Sequence, residues 1–421
     1  MARIRAHLPL QLACLLGITL FSAGVAAAQP PKTAVTLLII PFENHSRVAG
    51  VDWLSEACPE VLAERMASPK IYVISRDDRM FAFDKAGVPV AARPSRATIF
   101  RVAEQMGADY VVLGSYEVGD SSFQASAQLL DVKNLKLGAP VAGKGPLTDF
   151  VNLQTALAWQ LLRQMPNPPL TSQPQFVQTS VPIRLDAFEN YVRGLIATNR
   201  QQKVHYFKEA LRLNPAYTAA ALALGRAYYD SHDYEQAQLW LGKVPKDDPA
   251  GGEATFLLGM TEYYRGNLER SYAAFDQLVT RIPLTEVYNN LGVVDARRGR
   301  RTAAVEYFSK AVAADPSDAD YHFNYGLALF KNGDSAGAVR QLREGLQHRP
   351  EDAEAKTLLE MINRGVMPPP GPSPSAGGAA PAAQPGQPRI PIERIKRNYD
   401  EASYRQLQME IDNLKQQRLP K

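Results

Sequence analysis

Two cysteines in 421 residues leave no material for a disulfide scaffold or a cysteine-rich zinc or iron–sulfur site. Histidine is scarce too: six scattered residues, none at a ligand spacing, argue against a histidine-held metal. Neither charge dominates. Lys+Arg number 47 and Asp+Glu 43, a net +4, unlike the strong basic excess of a dedicated nucleic-acid binder. Beyond the first thirty residues no apolar run is long enough to span a bilayer. What is present is 45% hydrophobic and 21% charged residues, over a length that suits two or three domains. The composition describes a multidomain protein with real cores and no cofactor chemistry in view.

The first segment reads as an address. Arg3 and Arg5 precede an apolar run from Leu8 to Phe21, and small residues end it at Ala26-Ala27-Ala28. This is the pattern of a secretory signal peptide over residues 1–28, with cleavage before Gln29. An uncleaved anchor is the alternative. Cys14 lies inside the run, and Gln11 stands where a lipobox wants an aliphatic residue. Cleavage would leave 45 basic against 43 acidic residues and Cys58 alone, so no internal disulfide could form.

Residues 33–166 read as a small α/β domain. Val35 to Ile40 is a continuous apolar run, suited to a strand buried on both faces. Trp53, Leu54, Ala57, Val61, Leu62 and Met66 recur at helical spacing, with Asp52 placed to cap and Pro59 placed to kink or split the helix. Ile71 to Ser75 reads as a second strand, and a second helix is expected from Ser95 to Gly107. Tyr110 to Val118 reads as a third strand. Phe123, Ala125, Ala127 and Leu129 then alternate with polar residues, the mark of a half-buried antiparallel strand. A short partner ends near Val141, and a third helix carries Phe150, Leu153, Leu157 and Leu161 on one stripe. Helices over a mixed sheet follow from that order.

Four stretches of this segment carry a resemblance: Leu37 to Asn44, Asp52-Trp53-Leu54, Val73 to Arg76, and Gly107 to Gly114. Over about 130 residues the segment resembles the amino-terminal domain of the TolB family and the related domains of CsgG and flagellar accessory proteins. The resemblance implies an assembly or interaction module of the bacterial envelope, without catalytic residues.

Periodicity is the strongest signal. Prolines recur at 215, 249, 283, 316 and 350, and glycines at 225, 259, 292 and 326, at steps of 33 or 34. Ala237, Ser271, Ala304 and Ala338 supply a small residue, and Leu241, Phe275, Phe308 and Leu342 a large one, at matching offsets. A period of 34 in helix–turn–helix units resembles the tetratricopeptide repeat. Four full repeats are expected at 218–251, 252–284, 285–318 and 319–352. A degenerate one precedes them at 184–217, and a closing helix runs from Ala353 to Ile362, giving an array over 184–364. Ala221, Thr255, Tyr288 and His322 fill the first aromatic position, where the family places tryptophan.

Stacked pairs make a superhelix whose first helices line a concave groove that suits a peptide or helix. The resemblance puts Arg226, Tyr229, Tyr263, Asn290, Phe323 and Asn324 on that face, exposed to solvent. They mix aromatic area with amide and guanidinium donors, a composition common at binding hot spots. The family's clamp for chaperone tails is not met, because Leu222 and Arg226 occupy its lysine and asparagine positions. Residues 366–391 are proline-rich and read as a disordered or polyproline-like linker, and 392–419 read as a solvated amphipathic helix, docked on the repeats or not, with self-association or partner binding as the alternative.

Several near misses carry no chemistry. Gly138 to Lys144 starts like a P-loop, but Gly145 stands where Ser or Thr must hold magnesium. Arg297-Arg298-Gly299-Arg300-Arg301 is a basic turn, read as an exposed repeat turn before a phosphate grip. Cys58 reads as core, and Ser115 lacks a nucleophile elbow. The fold expected is α+β and multidomain: a mixed-sheet α/β domain, an all-α solenoid, a Pro-rich linker and a C-terminal helix. The function expected is a periplasmic, non-enzymatic scaffold that binds protein partners through the groove and envelope assembly proteins through the α/β domain. No cofactor, no nucleic acid and no membrane span are expected. The alternative is an enzyme or nucleotide-sensing module in the α/β domain, centred near Gly143 and Lys144.

Overall fold

The computed structural model describes residues 35–89, 94–119, 122–367, 390–401, 404, 405, 408 and 411. The expected signal segment and residues 368–389 of the expected linker lie outside them. Two compact units result, one that takes residues 35–196 with the described residues after 401, and one over 197–401.

The first unit is a mixed sheet with helices. In chain order it runs β1 (Val35–Ile39), β2 (Glu43–Asn44), α1 (Leu54–Met66), β3 (Ile71–Val73), α2 (Arg76–Lys85) and α3 (Arg96–Gln105). It continues through β4 (Tyr110–Val118), β5 (Phe123–Asp131), β6 (Lys136–Leu137), β7 (Val141–Gly145), α4 (Phe150–Leu162), α5 (Gln173–Thr179) and α6 (Leu185–Ile196). The main strand order is β3-β1-β4-β5-β6, with β2 on β4 and β7 on β5. β1 pairs in parallel with both β3 and β4, and its five residues are all buried. β4 and β5 pair antiparallel from Tyr110 with Asp131 to Val118 with Phe123. Successive β1 side chains serve opposite faces. Leu38 joins Ile99 and Ala103 of α3 and Val111 of β4 in one core cluster. Elsewhere Phe150 of α4 meets Phe123 edge-on at 5.2 Å and Trp53 at 6.1 Å.

Three local expectations need correction. Asp52 does not cap α1; its carboxylate accepts from the Asn44 amide at 2.7 Å, and no side chain caps that helix. Pro59 neither splits nor interrupts α1. A residue-59 amide would have bonded the Ser55 carbonyl. The Phe42 N–H takes that carbonyl instead, at 2.9 Å. Helix α2 escaped the periodicity reading because its main inward residue is an arginine. Arg79 is buried, donates to the Ile39 carbonyl at 2.9 Å and pairs with Glu56. A start signal was present: Ser75 caps α2 by accepting from the Asp78 amide.

The second unit begins with α7 (Arg200–Leu213). Four helix pairs follow: α8 (Thr218–Asp230) with α9 (Tyr234–Leu241), and α10 (Gly251–Tyr264) with α11 (Leu268–Arg281). Then come α12 (Thr285–Arg297) with α13 (Arg301–Ala314), and α14 (Ala319–Lys331) with α15 (Ser335–His348). α16 (Ala353–Asn363) closes the row, burying Leu358 and Ile362 against Phe323, Leu327, Phe330 and Leu342. The periodic glycines let the paired helices approach. A methyl group added at Gly259 or Gly292 would come within 2.7 Å of the Phe275 or Phe308 ring.

Two expectations about the array also change. The degenerate repeat at 184–217 is divided, because its first helix, α6, belongs to the first unit. There Phe188 stacks on Phe150 at 6.3 Å, and Arg193 donates to the Gly50 carbonyl at 3.0 Å. The amphipathic helix does not begin at Ile392. Residues 390–400 form neither helix nor strand, and helical backbone appears only from Glu401.

Candidate functional site

The first helix of each pair presents the same positions to one surface, and residues 392–400 lie across it. Two asparagines one repeat apart, Asn290 on α12 and Asn324 on α14, grip the backbone of this segment. The Arg394 N–H donates to Asn324 Oδ1 and the Arg394 carbonyl accepts from Asn324 Nδ2, both at 2.7 Å. Lys396 repeats the arrangement on Asn290 with both bonds at 2.8 Å. A side-chain amide carries one donor group and one acceptor, so it satisfies both backbone groups of one residue, whatever that residue's side chain. Asn289 adds a bond to the Arg394 carbonyl at 3.0 Å, and the Asp400 N–H donates to Glu286 at 2.7 Å. The segment passes from α14 over α12 towards α10, against the order of the repeats. Near α10, the Tyr399 ring packs on Phe256 at 5.5 Å.

The side chains of the segment meet carboxylates. Arg394 forks onto Asp352 at 2.5 and 2.8 Å, reaches Asp320 at 3.1 Å and Glu354 at 2.7 Å, and lies 3.7 Å from the Phe323 ring centre. Lys396 bonds Asp318 at 2.9 Å and Asp320 at 2.7 Å. Lys331 pairs with Glu393 at 2.7 Å. Asp318 and Asp352 also cap α14 and α16, accepting from the Asp320 and Ala355 amides, so folding of the helices fixes their positions. Burial pushes the Asp320 carboxyl up, but Arg349 and Lys396 outweigh it and hold it well below the usual carboxylate range. The Arg394 bond likewise holds Asp352 low. Burial opposes the Arg394 charge, yet Asp352 and Glu354 raise its pKa above the ordinary value. Beside the segment a cleft of about 410 Å³ stays open, lined by Tyr263, Tyr264, Arg297 and Ile392 among others.

Residues 204–258 and 289–353 each match a family model of the tetratricopeptide repeat. The chain carries tetratricopeptide repeats. No curated protein matches the sequence. Among solved structures, YrrB, described as a tetratricopeptide-repeat protein with an unusual peptide-binding site, is 18% identical with a TM-score of 0.38, over 42% of this chain and 92% of that one. MamA from Desulfovibrio magneticus is 20% identical with a TM-score of 0.38, over 41% of this chain and 100% of that one. PilF from Pseudomonas aeruginosa is 18% identical with a TM-score of 0.37, over 43% and 84%.

The surface under residues 392–400 and the cleft beside it bring together four of the six residues singled out from sequence. Asn290 and Asn324 hold the segment, Phe323 underlies Arg394, and Tyr263 lines the cleft with Arg297 4.7 Å from its ring centre. Burial pushes the Tyr263 hydroxyl up to about 12. These four are buried, and the expectation that they face solvent is corrected: residues 392–400 lie over this face. Tyr229 packs on Tyr234 and Tyr264 at 6.0 and 6.3 Å, and Arg226 pairs with Glu253. Asn289, Glu286, Asp318, Asp320 and Asp352 were missed. One signal was available. Glu253, Glu286 and Asp320 each stand six residues before a repeat glycine, an acidic position kept through three repeats.

The basic turn is largely committed within the fold. Arg298 pairs with Asp295 at 2.7 Å, Arg297 covers Tyr263, and Arg301 donates to the Lys331 carbonyl at 2.6 Å. In the first unit Gly143 and Lys144 lie inside β7, paired with Ala125 and Gln124, and not at a helix N-terminus. Cys58 is buried, accepts from the Gln154 amide at 3.3 Å, and burial pushes its thiol well up. Among the described residues no cluster of three His, Cys, Asp or Glu could hold a metal ion, and no helix is long and apolar enough to cross a membrane.

Proposed function

We propose that this chain is a non-enzymatic scaffold of the bacterial cell envelope, exported by its first 28 residues, whose tetratricopeptide groove binds an extended peptide. Tetratricopeptide repeats are protein-interaction modules, which supports the scaffold reading. The paired Asn290 and Asn324 bonds to one backbone carry the peptide reading, because they recognise extended chain and not a particular side chain. The basic start, short apolar run and Ala26-Ala27-Ala28 support export. The likeness of Leu37–Asn44 and Gly107–Gly114 to TolB and CsgG domains supports an envelope role for the first unit, which would hold assembly proteins while the groove holds a peptide.

Amino-terminal sequencing of exported protein should begin at Gln29, and a mature chain that still begins at Met1 would sink the export reading. Asn290→Ala with Asn324→Ala should abolish crosslinking of a photoreactive peptide to α12 and α14. Unchanged crosslinking would remove the groove from the proposal.

A further inference from the structure

The occupant of the groove is a piece of this same chain, and its chemistry specifies a ligand class. Resting on the peptide-groove reading above, we propose that the groove selects an extended basic segment of a partner protein, with an arginine and a lysine two residues apart, and that residues 390–400 are a built-in competitor for it.

Three observations carry this. First, the surface under the segment is acidic and largely buried. With the segment in place Asp318 and Asp352 are 7% and 8% exposed and Asp320 lies between them, and buried carboxylates need cations as partners. Arg349, 2.6 Å from Asp320, supplies part of the balance from within the array, and Arg394 and Lys396 supply the rest. Second, the spacing of the cations matches the spacing of the amides. In extended chain, residues two apart face the same side. Arg394 and Lys396 therefore reach the carboxylates while their own backbones sit on Asn324 and Asn290. Ile392, Arg394 and Ile395 all border the open cleft. Third, the segment adds no regular structure to the array, and Ile392 remains 64% exposed. The buried residues of the array's terminal core, Leu327, Phe330, Leu342 and Leu358 among them, all come from the repeats and α16, and the segment adds only the partly buried Ile390 at its edge. Between Met367 and Ile390 stand 22 residues without a leucine, isoleucine, valine or aromatic residue. Because the segment belongs to the same chain as the groove, its docking is intramolecular and pays no cost of bringing two molecules together. A partner segment must exceed that advantage, through affinity or through further contacts in the open cleft.

The test uses the full chain and a labelled peptide with the sequence of residues 390–400, read by fluorescence anisotropy at low salt. In Arg394→Glu/Lys396→Glu the built-in segment is repelled and the groove is untouched. This variant should bind the peptide at least tenfold more tightly than wild type. A peptide with alanine in place of its arginine and lysine at those two positions should bind at least tenfold more weakly than the native peptide. Equal binding by wild type and variant, with the circular-dichroism melt of the array unchanged, overturns the competitor. Tyr399→Ala, which loosens the segment without altering charge, guards against misfolding of the first variant and should also bind more tightly than wild type. Equal binding of the native and alanine peptides overturns the basic ligand class. Adding Asn290→Ala/Asn324→Ala separates the readings. If both peptides then lose binding the groove stands and only charge selection fails; if neither does, the groove reading itself falls. A wild-type dimer that releases to monomer in Arg394→Glu/Lys396→Glu gives the site to a second copy's segment and overturns the assignment within one chain.

Discussion

Replacing Arg394 by alanine removes the most connected side chain of the segment. It bonds three carboxylates and lies on the face of Phe323, with 19% of its side chain exposed. Deleting one partner of a fully buried pair costs about 3–5 kcal/mol, and an exposed pair about 0–1. A site one-fifth exposed falls between, at about 2 kcal/mol, and loss of the ring contact adds about 1. Asp320 and Asp352 keep Arg349 at 2.6 and 3.7 Å, so they are not left bare. The sum is about 3 kcal/mol, or roughly a hundredfold in the ratio of docked to undocked segment. Hydrogen exchange reads this directly. The amides of Arg394, Lys396 and Asp400 are bonded to Asn324, Asn290 and Glu286, so they exchange only when the segment lifts. In Arg394→Ala they should exchange about a hundred times faster, while α10 to α15 keep their protection. Arg394→Lys, which keeps the charge and loses the fork, should fall between. Exchange over 390–400 that does not change in Arg394→Ala would refute the claim that these ion pairs hold the segment down.

Further outcomes follow from the same contacts. Gly292→Ala puts a methyl group about 2.7 Å from the Phe308 ring and should lower stability by about 1–3 kcal/mol in denaturant melts, less any gain in helix propensity; an unchanged midpoint would show that the ring can step aside. Docked Asp320 and Asp352 titrate below their ordinary value of 3.8, so their contribution to docking is complete above that value and is lost progressively as pH falls from it through their lower docked values. Exchange protection of 390–400 should therefore be flat from about pH 8 to pH 5 and fall below about pH 4. Burial, with Glu56, pushes the half-buried Glu60 carboxyl up from 4.5 to about 7, against Arg79 and Arg76. A raised carboxyl costs stability as pH rises between those values, so Glu60→Gln should melt higher at pH 8, by about 1 kcal/mol, and like wild type at pH 4; equal melts at pH 8 would contradict that environment.

Local chemistry written at a fixed spacing was legible in the sequence. The glycines at 225, 259, 292 and 326, the large residues 16 positions later, and the prolines between repeats determine helical pairs, because close helix approach needs a missing side chain opposite a large one. The alternation Phe123, Ala125, Ala127, Leu129 determines a half-buried strand for an equally local reason. Asn290 and Asn324 could be picked out because a repeat array assigns faces from register alone. Helix α2 could not be found by that route, since its buried residue is Arg79, and only the Ile39 carbonyl and Glu56 make an arginine acceptable there. Nor could the capping of α1, where Asn44 draws Asp52 away. The C-terminal segment is the sharpest case. Ile392, Ile395, Tyr399 and Ala402 sit at helical spacing, so an amphipathic helix was the local answer. Propensity in so short a stretch is worth little against tertiary contacts. Four bonds to two asparagines and the pairing of Arg394 and Lys396 with three aspartates hold 394–396 out of helix. The sequence alone determined the helical pairs and set Asn290 and Asn324 at the same position of successive repeats. Only the tertiary structure decided that these amides meet residues 394 and 396 of their own chain, because the bonded residues lie 70 and 106 positions apart and no periodicity links them.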